Sequence, residues 1–209
     1  MVLNSELKKL FCSSCPLHCS IQPEVSPRTV YCASACFCLW PEDNVFFNRG
    51  IIDGLLVNNN NALLSGYVFV DFSLSNLHLF VDHEWLDFLS TANLKIILVS
   101  DRHLQPLANY WFKNHRKIAA IIYHNDRISA ANEKIKKIFI GRVISTTQGT
   151  TITPTEFTIL SKLISGMSSQ QVAESLNLNI RSVYAYRQRI EKHLGSKINK
   201  LYANARKVA

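Results

Sequence analysis

Between Asn179 and Gly195 the chain reads NIRSVYAYRQRIEKHLG, a run whose polar residues are of the kinds that bind nucleic acid. Wound at about 100° per residue, it gathers Val183, Ile190 and Leu194 on one side and Arg181, Tyr184, Ala185, Gln188 and Lys192 on the other. Gln188 can present a donor and an acceptor to adenine, Ala185 a methyl contact to thymine, and Tyr184 either a ring or a hydroxyl. These three, at the centre of the exposed side, are the candidate base readers. Arg181, Ser182, Arg187, Arg189 and Lys192 fall toward the flanks or ends and suit phosphate. Arg187, on the inward flank, has a second reading as a structural residue bonded within its own domain. No phosphate-cradling glycine loop and no nucleophile motif accompanies them, so an enzyme is not expected.

A second set of reactive side chains lies at the other end. All six cysteines fall between Cys12 and Cys38. Cys12, Cys15, His18 and Cys19 are spaced so that thiolates and an imidazole could hold zinc or an iron–sulfur cluster, which would make the chain a metal or redox sensor. Cys32, Cys36 and Cys38 sit in YCASACFCLW, where the alternation suggests a strand and thiols that fill apolar space in a reducing compartment. Apart from that metal reading, no cofactor is expected.

Charge points to the same division of labour. The chain of 209 residues carries a formal +8, and residues 153–209 hold nine Lys/Arg against three Glu. A basic surplus on a small end piece suits a polyanion, nucleic acid in particular. No run of about 20 apolar residues could span a membrane. The first residues, MVLNSELKKLFCSSCPLHC, put cysteines, a proline and a histidine where a signal peptide needs an apolar segment. A cytoplasmic protein without a membrane partner is the expectation.

The elements that position these residues can be read in turn. Residues 1–28, with Pro16, Pro23 and Pro27, read as an irregular leader. From residue 29 to 141 short apolar runs (TVYCASACFCLW, GYVFVDF, NLKIILVS, KIAAIIYH) alternate with amphipathic stretches (FFNRGIIDGLL, HEWLDFL, QPLANYWFKNH, ISAANEKIKKIFIG). That alternation predicts a parallel α/β domain of four strand–helix units. Residues 142–152 read as a linker. From 153 to 209, Thr153, Pro154 and Glu156 open a helix that Gly166 closes, Ser168 and Gln171 open a second, and Asn179 caps a third. Two helices joined by so tight a turn, the second cationic, make a helix-turn-helix.

At this level of detail TPTEFTILSKLISGMSSQQVAESLNLNIRSVYAYRQRIEKHLG resembles the DNA-binding domain of LuxR/NarL/FixJ regulators. Pro154, Glu156, Leu160, Gly166, Ala173, Glu174, Leu176, Val183, Arg187, Ile190, Leu194 and Gly195 carry the likeness. Asn177 stands where glycine is usual and tolerates the left-handed conformation. Tyr186 replaces a usual histidine and can either donate to phosphate or pack inward. The resemblance implies a four-helix domain with Tyr184, Ala185 and Gln188 directed at bases, and it adds Ser168 and Tyr186 to the backbone contacts.

The upstream domain resembles a response-regulator receiver of flavodoxin-like fold. That likeness implies an acidic cluster of Glu42 and Asp43 with Asp71 as phosphoacceptor, and Ser100 at the hydroxyl position. The lysine expected after the last strand is missing, because IIYHND offers Tyr123 and His124. The resemblance therefore implies a pseudo-receiver that signals without phosphorylation, with a phosphorylatable two-component regulator as the alternative. From about Trp40 to Ala203 the chain further resembles the fimbrial-operon regulators of the EcpR (MatA) type, with the cysteine-rich leader outside the likeness. Membership would imply a transcription activator or antirepressor that is dimeric on DNA, pairs in some cases with a related regulator, and acts on RNA polymerase. A dimer contact is expected from Leu201, Tyr202 and Ala205 on the final helix, with closure of the small domain's own core by Leu201 and Tyr202 as the alternative.

Overall fold

A computed structural model describes residues 8–14, 19–22, 37–41, 43–59 and 66–201. Four buried strands, β3 (Phe37–Trp40), β4 (Tyr67–Phe72), β5 (Lys95–Ser100) and β6 (Ile118–Tyr123), run parallel and pair in that order. Each is followed by helix: α1 (Val45–Ile51, extended by a wider π-type turn over Ile52–Leu56), α2 (Glu84–Thr91), α3 (Gln105–Asn114) and α4 (Ile128–Phe139). The strands are near-continuous apolar runs because helices cover both faces. Trp40, Phe72, Phe80, Trp85 and Trp111 fill the α2/α3 face, with Phe72 and Phe80 stacked at 4.0 Å and the Trp111 indole donating to Phe80 O at 2.9 Å. Tyr67, Phe69, Ile97 and Ile122 meet Ile51, Leu55, Ile135 and Phe139 on the other.

The predicted strand–helix units are all present, but the segment expected to be irregular is not wholly so. Leu10–Cys12 (β1) and Ser20–Ile21 (β2) form an antiparallel hairpin that adds to β3, giving the sheet order β2-β1-β3-β4-β5-β6. Strands of three and two residues are too short to show a period, so composition alone made this stretch look like a leader. The hairpin fills the edge where a flavodoxin-like order of 2-1-3-4-5 would place its second strand. Strands β3 to β6 step in a single direction, while α1 lies on the opposite face of the sheet from α2 and α3.

The helical domain comprises α5 (Pro154–Ile164), α6 (Ser169–Ser175), α7 (Ile180–Leu194) and a last helix that starts at residue 198. It is docked on α3. Asn109, fully buried, donates to Gln148 O at 2.6 Å and Thr150 O at 2.7 Å and accepts from the Tyr123 hydroxyl at 2.7 Å. The same hydroxyl accepts from Gln148 N at 3.1 Å, so β6, α3 and the linker share one bonded node. Gly149 lies at φ 69°, and a Cβ there would come within 2.8 Å of the Gln105 amide nitrogen, which itself holds Gln148 O. Beside the node, the Tyr110 ring stacks on Phe157 of α5 at 4.6 Å, and Trp111 meets Phe157 edge-on at 5.0 Å.

Candidate nucleic-acid interface

Local chemistry at each helix end sets the orientation of α7. Thr153 and Glu156 form a reciprocal capping box on α5, with Thr153 N donating to the Glu156 carboxylate at 2.8 Å. Ser168 and Gln171 do the same for α6. The turn between α6 and α7 closes through Asn177 at φ 51°, with Leu178 N donating to Ala173 O at 2.9 Å, so asparagine takes the left-handed role expected of it. The Asn179 side chain accepts from Arg181 N at 2.9 Å and starts α7. Gly195, at φ 62°, ends it. A residue that no local pattern reveals completes that end: His103, from the β5–α3 loop, places Nδ1 2.8 Å from Leu194 O.

With the helix so held, Val183, Ile190 and Leu194 are buried, and Tyr184, Ala185 and Gln188 are exposed side by side; Tyr184 is 52% accessible. Arg181, Arg189 and Lys192 are exposed around them, Ser168 is exposed at the start of α6, and Ser182 is half-buried. Tyr186 turns partly inward against the core and carries the Arg189 guanidinium over its ring at 4.4 Å. Arg189 Nε also lies 4.0 Å from the buried Glu156 carboxylate, yet the side chain remains 57% accessible. The guanidinium is thus steered on one side by Tyr186 and Glu156 while the side chain stays largely open to solvent.

Arg187 differs from its neighbours. Its Nε donates to Glu191 at 3.2 Å and its Nη2 to Asn199 at 2.7 Å, and the Glu191 carboxylate accepts from Ile198 N at 3.0 Å. The pair thus caps the last helix and ties it to α7. Leu201, expected to be available for dimerisation, is instead fully buried in the small domain's core with Ile198; its apolar side chain closes the helical bundle, which leaves nothing of it for a partner. Tyr202 and Ala205 lie outside the described residues.

The acidic positions are only partly brought together. Asp71, at 5% accessibility near the end of β4, accepts from the Asn44 amide at 2.8 Å. Burial raises its pKa above 3.8, and Asp101 adds to the rise, while the amides of Asn44 and Asn76 and the Ser73 hydroxyl oppose it. Asp43 is exposed, and Glu42 lies outside the described residues. Among the described residues no lysine or arginine pairs with Asp71. Ser100 donates to Asp101 O at 3.0 Å, and Asp101 itself accepts from Leu74 N and Leu104 N. Tyr123, standing where a receiver's lysine would be, sends its hydroxyl to the linker node instead. Of the candidate metal ligands, Cys15 and His18 lie outside the described residues; Cys12 is buried in the sheet and Cys19 is half-buried beside it, and no group of three metal-binding side chains occurs among the described residues.

A basic helix-turn-helix with its recognition helix exposed, carried on a receiver-like α/β domain, defines a LuxR-type DNA-binding transcription regulator. The comparisons agree. Residues 11–139 match the EcpR N-terminal domain and residues 150–201 match the bacterial regulatory proteins of the luxR family, so the chain belongs to the family that joins these two domains. The first match begins at Phe11, so it takes in the hairpin that the resemblance from Trp40 onward left out. The chain is 52% identical over 208 residues to the uncharacterized protein YqeH of Escherichia coli K12, covering 100% of this chain and 99% of that protein. Among solved structures it is similar to the Salmonella typhimurium RcsB response regulator at 14% identity, covering 80% of this chain and 96% of that one, with a TM-score of 0.35. An RcsB–DNA complex matches at 13% identity over 73% of this chain and 79% of that one, with a TM-score of 0.38. No helix among the described residues is long and apolar enough to cross a membrane.

Proposed function

We propose that the chain regulates a fimbrial or other surface operon by sequence-specific binding to double-stranded DNA, with Tyr184, Ala185 and Gln188 reading base edges. Ser168, Arg181, Ser182, Tyr186, Arg189 and Lys192 hold the phosphates on either side, and Arg187 is a positioning residue that keeps the last helix on α7. The observation that carries this reading is the exposure of those three side chains on one face of a capped, cationic helix. The operon class is supported by the family of the N-terminal domain.

The α/β domain works without phosphoryl transfer. That part of the reading is supported by Tyr123, whose hydroxyl is engaged with Asn109 and Gln148 where a receiver needs a cation. On DNA the protein acts as a homodimer, or pairs with a related regulator, and contacts RNA polymerase. Site selection from random duplexes with the full-length protein tests the first claim: a single enriched motif whose preference relaxes at one base pair in Gln188→Ala is expected. Recovery of no motif would overturn it. Labelling of Asp71 by a small phosphodonor with magnesium, together with lost promoter response in Asp71→Ala, would overturn the second.

A further inference from the structure

The edge hairpin brings together thiols that are far apart in sequence. Cys12 of β1 is the register partner of Cys38 of β3. On its other side Cys12 N donates to Cys19 O at 2.8 Å, one rung beyond the Phe11–Ser20 pair, so Cys19, Cys12 and Cys38 form a row across three neighbouring antiparallel segments. Directly opposed residues point to the same face: Cys12 and Cys38 belong to the core on the α2/α3 side, and Cys19 packs against it. Cys12 and Cys38 are 3% and 1% accessible, whereas Cys19 is half-buried.

The type of rung matters. Because the Cys12 N–H points toward β2, it is not spent on β3, and the bonded rung on that side is the next one, where Ser13 N donates to Phe37 O at 3.0 Å. Cys12 and Cys38 are therefore a non-hydrogen-bonded pair, the type in which Cα atoms approach to about 4.5 Å and side chains are closest. That separation lies within the range of roughly 4.4–6.8 Å that a disulfide requires.

We propose that Cys12 and Cys38 are a redox-responsive cross-strand pair that a low-molecular-weight disulfide closes through Cys19. The Cys19 thiolate attacks one sulfur of the small disulfide, forming a mixed disulfide and releasing the first small thiol, which takes up the proton Cys19 lost. Cys12 then attacks the Cys19 sulfur, and the second small thiol leaves with a proton. Cys38 attacks the Cys12 sulfur, and Cys19 departs as a thiol again. In sum two protein thiols are oxidised and one small disulfide is reduced to two thiols. The product ties the hairpin covalently to the first parallel strand.

The test uses the full-length protein under native conditions with oxidised glutathione as the probe, followed by peptide mapping by tandem mass spectrometry without reductant. A Cys12–Cys38 link is the expected main intramolecular product. Oxidised protein should melt roughly 5 °C or more above the reduced form, because a loop of the unfolded chain is closed. Cys19→Ser should slow closure about tenfold or more while reaching the same link, in keeping with relay through an accessible thiolate. A main product joining any other pair, Cys15, Cys32 and Cys36 included, overturns the proposal, as does protein that stays folded with Cys12 and Cys38 unreacted. Closure in Cys19→Ser at the wild-type rate overturns the entry route.

Discussion

His103 Nδ1 lies 2.8 Å from the carbonyl oxygen of Leu194, so a side chain of the α/β domain closes the last turn of the recognition helix. Loss of that contact leaves a terminal carbonyl without its partner. His103→Ala should destabilise the docked helical domain by about 0.5–1.5 kcal/mol. Hydrogen exchange should quicken over the last turn of α7 and remain unchanged over α6. Equal protection in variant and parent would count against the contact.

Base reading and phosphate binding separate by their dependence on salt. Gln188→Ala should cost on the order of 1–3 kcal/mol on the preferred site and little on random DNA. Arg189→Ala should weaken both alike and lower the salt slope by about one unit. Arg187→Ala should instead reduce stability by roughly 1–3 kcal/mol, since Glu191 and Asn199 lose a charged donor, and should leave the slope near the parent's. Binding isotherms across a salt series on both duplexes, with a denaturant melt of each variant, distinguish the three.

Asn109→Ala strips the linker node of both its donor and its acceptor. Gln148 O, Thr150 O and the Tyr123 hydroxyl lose a buried partner, at a cost of about 1–3 kcal/mol. Faster protease cleavage within residues 142–152 is the expected readout, and unchanged cleavage would refute the node's role.

Much of the small domain was legible because its signals are local. Thr153 with Glu156, Ser168 with Gln171, and Asn177 and Asn179 act within a few residues of themselves, and each does in the structure what its position implied. The four parallel strands were legible because both their faces are buried. The hairpin was not, since neither Leu10–Cys12 nor Ser20–Ile21 is long enough to alternate. His103, Asn109 and Tyr123 were also beyond reach as interface residues, because their partners lie 91, 39 and 25 residues away and nothing local marks such a bond.

Asp71→Asn should stabilise the protein at neutral pH. Burial raises the carboxyl's pKa in the folded state, so folding favours the protonated form and stability is lost as pH rises through that value. Asparagine keeps an acceptor for the Asn44 amide without the charge. The gain in thermal midpoint should be full near pH 7, shrink as pH falls through the raised folded-state value, and vanish below 3.8, the unfolded value. A variant that melts below the parent at pH 7 would mean that the ionised carboxylate is stabilised by groups other than these.

Acid should loosen the docking of the two domains. His115 packs with Trp111 and lies near His83, which meets Phe157. Burial, then the neighbouring His83, lower the His115 pKa below 6.5, against an opposing pull from Asp87. A histidine lowered in this way contributes stability at pH above 6.5 that is lost as pH falls through its folded value. Fluorescence transfer between labels on α2 and α6 should therefore fall below pH 6.5, and His115→Gln should flatten that response.

The stacking of Tyr110 on Phe157 bears on modularity. A helix-turn-helix is commonly treated as a portable cassette, cut at the linker and grafted onto a new sensor. Here the cut would strand an aromatic ring of α5 in water and leave the end of α7 without its histidine. A chimera that keeps this domain's fold would have to import His103, Tyr110 and Trp111 along with it, so the unit of exchange runs from the end of β5 rather than from Thr153.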